Sequence, residues 1–247
     1  MPKPAARRSP FQWVSAGLTD VGAARSINED ALIENAAAGI WVVADGMGGH
    51  AAGDVASKLV VQAFEQISAP STLAAYVDLV EQRLSDVNDR LLQLSQEQLE
   101  NQTIGSTVVA LLTQDRFAAI IWVGDSRAYR LRDGQLTMLI QEHTQAEELV
   151  ERGVLAAEDA ENHPTFNVLT RAVGAQTPLY VDIEVLEVRQ GDLYLLCSDG
   201  LNKGVGDHEI IGMLDPADLT GSVTRLVDRA IRNGSRDNVT VLLAYAA

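Results

Sequence analysis

The chain has 247 residues and is 47% hydrophobic, which is enough to bury the core of one domain. Its 34 acidic and 19 basic residues give a formal net charge of -15, which argues against a broad nucleic-acid-binding or anionic-membrane surface. The one cysteine, Cys197, excludes an internal disulfide and is typical of a reducing compartment, so we expect a cytoplasmic protein. No apolar stretch has the length of a signal peptide core or a membrane span, so we expect no direct membrane insertion.

Residues 1–10 are rich in Pro and Arg and predict a flexible arm, and residues 11–247 predict a single domain because no linker or repeat divides them. Short apolar runs predict strands, and apolar residues three and four positions apart predict helices. In the first part of the chain the predicted elements are strands at Phe11–Leu18, Ala31–Glu34 and Ile40–Ala44 and helices at Gly53–Ile67 and Ser71–Gln98.

Strand periodicity returns after Thr103, and a polar segment at about 141–174 predicts a mobile flap that contains one short helix. The neighbouring strands are joined mainly by hairpins, which predicts a layered α/β protein with largely antiparallel sheets. The predicted elements of this part are strands at Gly105–Leu112, Arg116–Val123, Ala128–Arg132, Gln135–Leu139, Val181–Val188, Leu193–Cys197 and Asn238–Tyr245 and helices at Gln145–Arg152, Asp207–Leu214 and Leu219–Asn233.

Four aspartates, Asp45, Asp125, Asp199 and Asp237, stand at or just beyond the ends of predicted strands, each beside Gly or Asn. Any one of them is equally well explained as a turn residue, because Asp and Gly favour turns. Three of the four follow strongly apolar strands, and together they predict that strand ends meet at one rim. Carboxylates gathered there would repel one another without a cation.

Oxygen ligands without a His or Cys cluster favour Mg²⁺ or Mn²⁺ over structural zinc. A group of carboxylates can hold two such ions roughly 3.5–4 Å apart, an arrangement that activates water and clamps a phosphoryl group. At Asp45–Gly46 a carboxylate and the adjacent carbonyl can both face a metal, and Gly48–Gly49 let the backbone approach closely. The pattern therefore favours metal-assisted phosphoryl chemistry.

The motif spacings of three other classes of site are absent from the sequence. A cysteine-dependent tyrosine phosphatase needs an Arg six positions after its nucleophile, but Lys203 stands six positions after Cys197, which we interpret as a small core residue. Residues 46–50 lack the P-loop pattern, and residues 124–128 lack the last Gly of a nucleophile elbow.

The ordered motifs of the chain resemble the metal-dependent protein phosphatases, the PPM or type 2C Ser/Thr phosphatases, and in particular their short bacterial members. The resemblance runs from about residue 15 to residue 245, and the ordered set of motifs is specific where one alone would be weak. It implies two antiparallel sheets flanked by helix pairs, an α-β-β-α sandwich. The matching motifs are residues 25–30 (RSINED), 45–50 (DGMGGH), 105–107 (GST), 124–127 (GDSR), 167–174 (NVLTRAVG), 198–201 (SDGL) and 237–240 (DNVT).

The resemblance also implies a role for each matched residue. Asp45 would bridge two metals, the Gly46 carbonyl would bind one of them, and Asp199 and Asp237 would complete the other. Glu29 would hold metal-bound water, and Asp125 with Asp199 matches a weaker third-metal site of the bacterial members. Arg25 matches the phosphate-binding arginine, whose planar fork suits two phosphate oxygens.

Two positions depart from the family pattern. Many eukaryotic members have a His directly after the Asp-Gly pair as a candidate general acid, but here Met47 stands there and the nearest His is His50. His50 is predicted either to protonate the leaving alkoxide or to support the glycine loop. The family usually has Asp before the His of the flap, and the chain has Glu142 before His143, which we expect to alter flap contacts more than metal binding.

The implied function is hydrolysis of phosphoserine and phosphothreonine in proteins by a metal-activated water, without a phosphoenzyme. The expected partners are phosphorylated proteins and a bacterial Ser/Thr kinase whose action the enzyme reverses, including kinases of type VI secretion clusters, and the expected state is a monomer. One alternative is a phosphatase dedicated to one regulator of transcription, such as an anti-sigma-factor antagonist. A second is a binding module with a phosphatase-like fold, which the loss of a core aspartate would favour, and none is lost.

Overall fold

The computed structural model describes residues 10–48, 52–65, 67–98 and 103–247, and in it two antiparallel sheets pack face to face. One sheet has the strand order β1-β11-β10-β7-β8 and the other has the order β2-β3-β5-β6-β9, with β4 paired to the end of β3. The strands are β1 (Trp13–Asp20), β2 (Asp30–Asn35), β3 (Ile40–Gly48), β4 (Ile104–Ser106), β5 (Val108–Gln114), β6 (Phe117–Val123), β7 (Arg127–Arg132), β8 (Gln135–Met138), β9 (Asp182–Glu187), β10 (Leu193–Cys197) and β11 (Val239–Ala246).

Helices cover the outer face of each sheet, which confirms the predicted α-β-β-α sandwich. Apolar residues of the first two helices pack on the sheet that contains β3, and those of the last three pack on the sheet that contains β11. The helices are α1 (Ala52–Glu65), α2 (Leu73–Gln98), α3 (Gln145–Glu151), α4 (Asp199–Asn202), α5 (Asp207–Met213) and α6 (Leu219–Arg232), and a 3₁₀ helix spans Ala157–Asn162.

The central strands are apolar along their whole length because both of their faces are buried. In β3, Ile40 and Val42 point toward α1 and α2, whereas Trp41 and Val43 point into the layer between the sheets. Successive side chains of a strand alternate between its faces, so a strand covered on both sides reads as a continuous apolar run. Cys197 is a fully buried core residue, as predicted.

The elements lie within a few residues of their predicted bounds, and the main differences lie beside the aspartates. The strand predicted at Gly105–Leu112 is two strands, because the backbone N–H of Thr107 leaves the ladder and donates to the Asp45 carbonyl at 2.8 Å. Strand β3 also continues past Asp45 to Gly48, where it pairs with β4. Asp45 therefore lies within its strand and not at the end of it.

The predicted flexible arm lies outside the described residues except for Pro10. The segment predicted as a flap contains α3 and the 3₁₀ helix, and the Thr144 hydroxyl caps α3 by accepting from the Glu147 N–H. Its mobility stays a prediction. No helix within the described ranges has the length and apolar character needed to cross a membrane.

The side chain of Asn88 ties α2 to the turn that follows the predicted flap. Asn88 is 1% exposed; its amide Nδ2 donates to the Gln176 carbonyl at 3.0 Å, and its Oδ1 accepts from the Gly174 N–H at 2.8 Å. Val173, one residue earlier, exchanges backbone hydrogen bonds with Ser106 of β4. Asn88 therefore holds the turn that supports β4 and, through it, the end of β3.

We expect Asn88→Ala to lower the free energy of unfolding by about 1–3 kcal/mol, because the buried Gly174 N–H loses its acceptor. The midpoint of urea denaturation measures this change. Gln93→Ala removes an exposed amide from the same helix and should stay within about 0.5 kcal/mol of wild type. Equal midpoints for Asn88→Ala and Gln93→Ala would contradict a structural role for Asn88.

Candidate active site

A cleft of about 650 Å³ opens along the rim where the acidic strand ends meet. The residues that the sequence predicts for the site line this cleft together, although they come from five separate parts of the chain. They are Arg25, Glu29, Asp45, Gly46, Asp125, Asp199 and Asp237. The remaining predicted residue, His50, lies outside the described residues.

Asp45 is held by backbone contacts on both sides of its strand. Asp30 of β2 lies directly opposite it in the antiparallel register. Across the other edge, the Asp45 N–H donates to the Thr107 hydroxyl at 3.0 Å, and the Ser106 hydroxyl donates to the Asp45 carbonyl at 3.0 Å. The break between β4 and β5 therefore serves to fix the backbone of Asp45.

Asp30 is a buried member of the cluster to which sequence reasoning gave no role. Its Oδ2 accepts from the hydroxyls of Ser198 and Thr240, each at 2.7 Å, and its Oδ1 is buried without a hydrogen-bond partner. Burial raises the pKa of Asp30 from 3.8 to about 7, although the two hydroxyls lower it. Asp30 thus joins β2 to the strand ends that precede Asp199 and follow Asp237.

The carboxylates of the cleft act on one another strongly. Burial raises the pKa of Asp45 well above its usual value, and Asp30, Asp199, Asp125 and Asp237 all raise it further. Burial also raises the pKa of Asp125 to about 7, with contributions from Asp199 and Glu142. Like charges this close disfavour ionisation unless a cation neutralises them, so the cluster is built for positive charge.

Arg25 and Glu29 lie together at the mouth of the cleft. Arg25 Nη2 lies 2.9 Å from Asp237 Oδ1 and its Nη1 lies 3.9 Å from Glu29 Oε2, while 47% of the Arg25 side chain is exposed. The Asn238 side chain fixes this segment, since its Oδ1 accepts from the Glu29 N–H at 2.9 Å and its Nδ2 donates to the Ile27 carbonyl at 3.0 Å. The Arg25 side chain therefore lines the cleft while about half of it stays exposed.

Gly46 is required by close packing of the backbone. A Cβ at this position would lie 1.9 Å from the Gly53 carbonyl oxygen and 2.7 Å from the Glu29 carbonyl oxygen. No other residue fits between the start of α1 and the Glu29 segment without displacing one of them. The glycine thus allows α1 to close against the acidic strand end.

Glu142 contributes to the site as well as to the predicted flap. It is buried and accepts from Arg127 Nε at 2.5 Å, and its charge adds to the raised pKa of Asp125. The acid that precedes His143 therefore influences the side of the cleft that holds Asp125. Its effect is not confined to flap contacts.

Lys203 is a second residue of the cleft whose role sequence reasoning missed. It follows α4, so it stands four residues after Asp199, and its Nζ contacts Asp199 Oδ2 and lies 3.3 Å from Asp237 Oδ2. Burial lowers the pKa of Lys203, but Asp199 and Asp237 outweigh burial and raise it well above its usual value. The four-residue spacing between Asp199 and Lys203 was the one sequence signal for this contact. It does not distinguish a buried pair from the many pairs with this spacing on exposed helices.

The donor set fits hard divalent cations. It consists of carboxylate oxygens and includes Asp199 Oδ1, which is buried without a hydrogen-bond partner. Such oxygens are the preferred ligands of Mg²⁺ and Mn²⁺. Within the described residues no three Asp, Glu, His or Cys side chains already converge as a metal-binding group, and Lys203 is the cation that Asp199 and Asp237 share here.

The chain matches a family model and resembles known proteins over nearly all its length. The family model described as protein phosphatase 2C matches residues 23–243. The chain is 34% identical over 229 residues to the serine/threonine protein phosphatase PstP of Mycobacterium tuberculosis, covering 93% of this chain and 44% of that protein. The chain thus spans less than half the length of that relative.

Solved structures agree with this family. PppA, a regulatory component of the type VI secretion system of Pseudomonas aeruginosa, superposes with a TM-score of 0.88 at 41% identity, covering 95% of this chain and 98% of that one. The catalytic domain of PstP with two manganese ions superposes with a TM-score of 0.82 at 34% identity, covering 95% and 98%. The chain with the acidic cleft described above therefore belongs to the protein phosphatase 2C family.

Proposed function

We propose that this protein hydrolyses phosphoserine and phosphothreonine in proteins by a metal-dependent mechanism. The observation that carries the proposal is the group of mutually repelling carboxylates in one cleft with Arg25 at its mouth. A phosphate dianion would not enter so acidic a cleft unless cations were bound there. The manganese ions of the related PstP domain support the same conclusion.

Asp45, Asp199 and Asp237, with the Gly46 carbonyl, would hold two Mn²⁺ or Mg²⁺ ions, and Asp125 with Asp199 would hold a third. When bound, such ions lower the pKa of water and neutralise charge on the phosphoryl group. Asp30 would differ from these ligands, because its Oδ2 already accepts from the hydroxyls of Ser198 and Thr240 and only its Oδ1 lacks a partner. It would instead hold the strand ends that carry the ligands in register.

The other residues of the chain would position the substrate and the water. Arg25 would bind two phosphate oxygens with the exposed part of its guanidinium, since its fork matches that geometry. Glu29 would accept a hydrogen bond from the attacking water. Cys197 is not a nucleophile, because it is fully buried and burial raises its thiol pKa to about 12. Direct hydrolysis without a phosphoenzyme agrees with these positions.

A regulatory context follows from the relatives. PppA is described as a key regulatory component of type VI secretion, and at 41% identity this supports a similar signalling role here. The chain would then act on proteins phosphorylated by a partner Ser/Thr kinase. A partner kinase, the monomeric state, the cytoplasmic location and the two alternative roles of His50, as general acid or as support of the glycine loop, stay predictions from the sequence.

The rival function is a binding module that has the fold but no catalysis. It requires the loss of part of the acidic centre, and the four predicted aspartates, Asp45, Asp125, Asp199 and Asp237, all line the cleft. The catalytic function is therefore favoured.

Treatment with EDTA should abolish hydrolysis of p-nitrophenyl phosphate and of a phosphothreonine peptide, and Mn²⁺ or Mg²⁺ should restore it. Asp199→Asn should lower kcat roughly 100-fold or more at saturating Mn²⁺, because a neutral amide does not replace a charged ligand. Asp228→Asn, which changes an exposed carboxylate of α6, serves as the matched control. A folded wild type that is inactive with both metals would favour the binding module.

Arg25→Ala should raise KM roughly 10–100-fold for the phosphopeptide and change kcat less, because the contact binds phosphate in both ground and transition states. Arg25→Lys should recover only part of the loss, since an ammonium lacks the planar fork. Steady-state kinetics at saturating Mn²⁺ measure both variants. Arg116→Ala, at an exposed Arg–Glu pair, is the control, and an unchanged KM in Arg25→Ala would exclude phosphate binding by Arg25.

The metal-free protein should lose thermal stability as the pH rises. Asp30 and Asp125 have a pKa of about 7 in the folded protein, against a reference value of 3.8 for an exposed aspartate. The folded state therefore holds their protons more tightly than the unfolded state does. This stabilisation is complete below about pH 3.8 and is lost as the pH rises through 7. Melting temperatures in EDTA should therefore fall between about pH 5 and pH 8, and Asp30→Asn should reduce the slope. Bound Mn²⁺ should also reduce the slope of melting temperature against pH. Equal slopes with and without metal would contradict the placing of these carboxylates at the metal centre.

A further inference from the structure

The short helix α4 brings a lysine to the same two carboxylates that the proposed function assigns to one metal ion. Lys203 Nζ contacts Asp199 Oδ2 and lies 3.3 Å from Asp237 Oδ2. Asp199 opens α4 and Lys203 directly follows it, so one helical turn places the ammonium over the carboxylate. Asp237 comes from the segment before β11, so Lys203 also links two separate parts of the chain.

Among the described residues, the other ion pairs with this four-residue spacing have a more exposed cation than Lys203. The Lys203 side chain is 26% exposed and the two carboxylates are 12% and 23% exposed. In the pair Asp228–Arg232, also four residues apart, the arginine is 78% exposed and the aspartate is 54% exposed. Exposed pairs contribute little because water screens them, whereas a cation among buried carboxylates acts at lower effective dielectric.

An ammonium and a divalent cation would need the same oxygens. Asp199 and Asp237 repel each other and repel Asp45. Lys203 contacts both carboxylates, whereas Arg25 Nη2 lies 2.9 Å from Asp237 Oδ1 at the mouth of the cleft. A metal ion that takes Asp199 Oδ2 or Asp237 Oδ2 must therefore displace the lysine. Lys203 stabilises the metal-free protein through a contact that metal binding breaks. Metal binding is therefore weakened by the free energy of that contact, because the two equilibria are thermodynamically linked.

We propose that Lys203 is an internal counter-ion that stabilises the metal-free protein and weakens the binding of divalent metal by competing for Asp199 and Asp237. The inference rests on the proposed metal-dependent function. Lys203 is thus a positioning residue for the metal centre and not a catalytic residue. It lets the protein fold with its acidic cleft intact before metal binds, and it sets the metal concentration at which the centre fills.

The test is isothermal titration of the EDTA-stripped protein with MnCl₂, with the melting temperature of each metal-free protein measured in parallel. Lys203→Gln should bind Mn²⁺ about tenfold more tightly or better, within the range typical of coupled binding equilibria. Its metal-free form should melt below the metal-free wild type, and the difference should shrink or reverse at saturating Mn²⁺. Lys203→Arg keeps the charge and should bind Mn²⁺ no more tightly than wild type.

The matched control is Arg232→Gln, which removes the same charge from the exposed pair with the same spacing and should leave the Mn²⁺ affinity unchanged. If Lys203→Gln does not fold without metal, chelator competition starting from the Mn²⁺-loaded protein measures the same affinity. A lysine with a purely structural role would lower the stability of the metal-free and metal-loaded forms equally and leave the affinity unchanged.

The outcomes separate this inference from the proposed function. A wild type that takes up no Mn²⁺ overturns both. A wild type that binds Mn²⁺ while Lys203→Gln binds it no more tightly leaves the function in place and overturns the role of Lys203. Tighter binding by Lys203→Gln together with wild-type affinity in Lys203→Arg supports competition through charge.

Discussion

The repulsion among buried carboxylates is the constraint on which the rest of the structure depends. Burial and mutual charge raise the pKa of Asp45, Asp30, Asp125 and Asp199, so the fold carries a cost wherever they ionise. The sandwich can bear that cost because its apolar strands are buried on both faces. Rigid strand ends then hold the carboxylates together although they repel.

Cations resolve the same repulsion in two ways. Lys203 is carried by the chain itself and contacts both Asp199 and Asp237. Under the proposed function a divalent metal, which carries more charge, would bind from solution and supply the chemistry of hydrolysis. Arg25, at the open mouth of the cleft, completes the positive surroundings that a phosphate needs. Under the proposed function the acidic centre would therefore bind metal and, through the metal, the anionic substrate.

The sequence predicts the fold and much of the site because both leave local patterns. Asp125 and Asp199 follow apolar strands, and such positions can be recognised from neighbouring residues alone. Asp30 could not be assigned in this way, because its partners Ser198 and Thr240 are 168 and 210 residues away and only the packed sheets bring them together. Lys203 could not be assigned either, since an acid–base spacing of four residues reads the same on a solvated helix as in a buried cleft.

The position of β11 makes the acidic centre one of the last parts of the fold to be completed during synthesis. This strand inserts between β1 and β10, and Asp237 and Asn238 stand directly before it. Most of the acidic centre, from Glu29 to Asp199, is therefore synthesised before the strand that completes the sheet of β1 and β10, which begins about forty residues after Asp199. A nascent or truncated chain that ends before residue 237 would lack Asp237 and the middle of a sheet, so under the proposed function it would be inactive and prone to misfold.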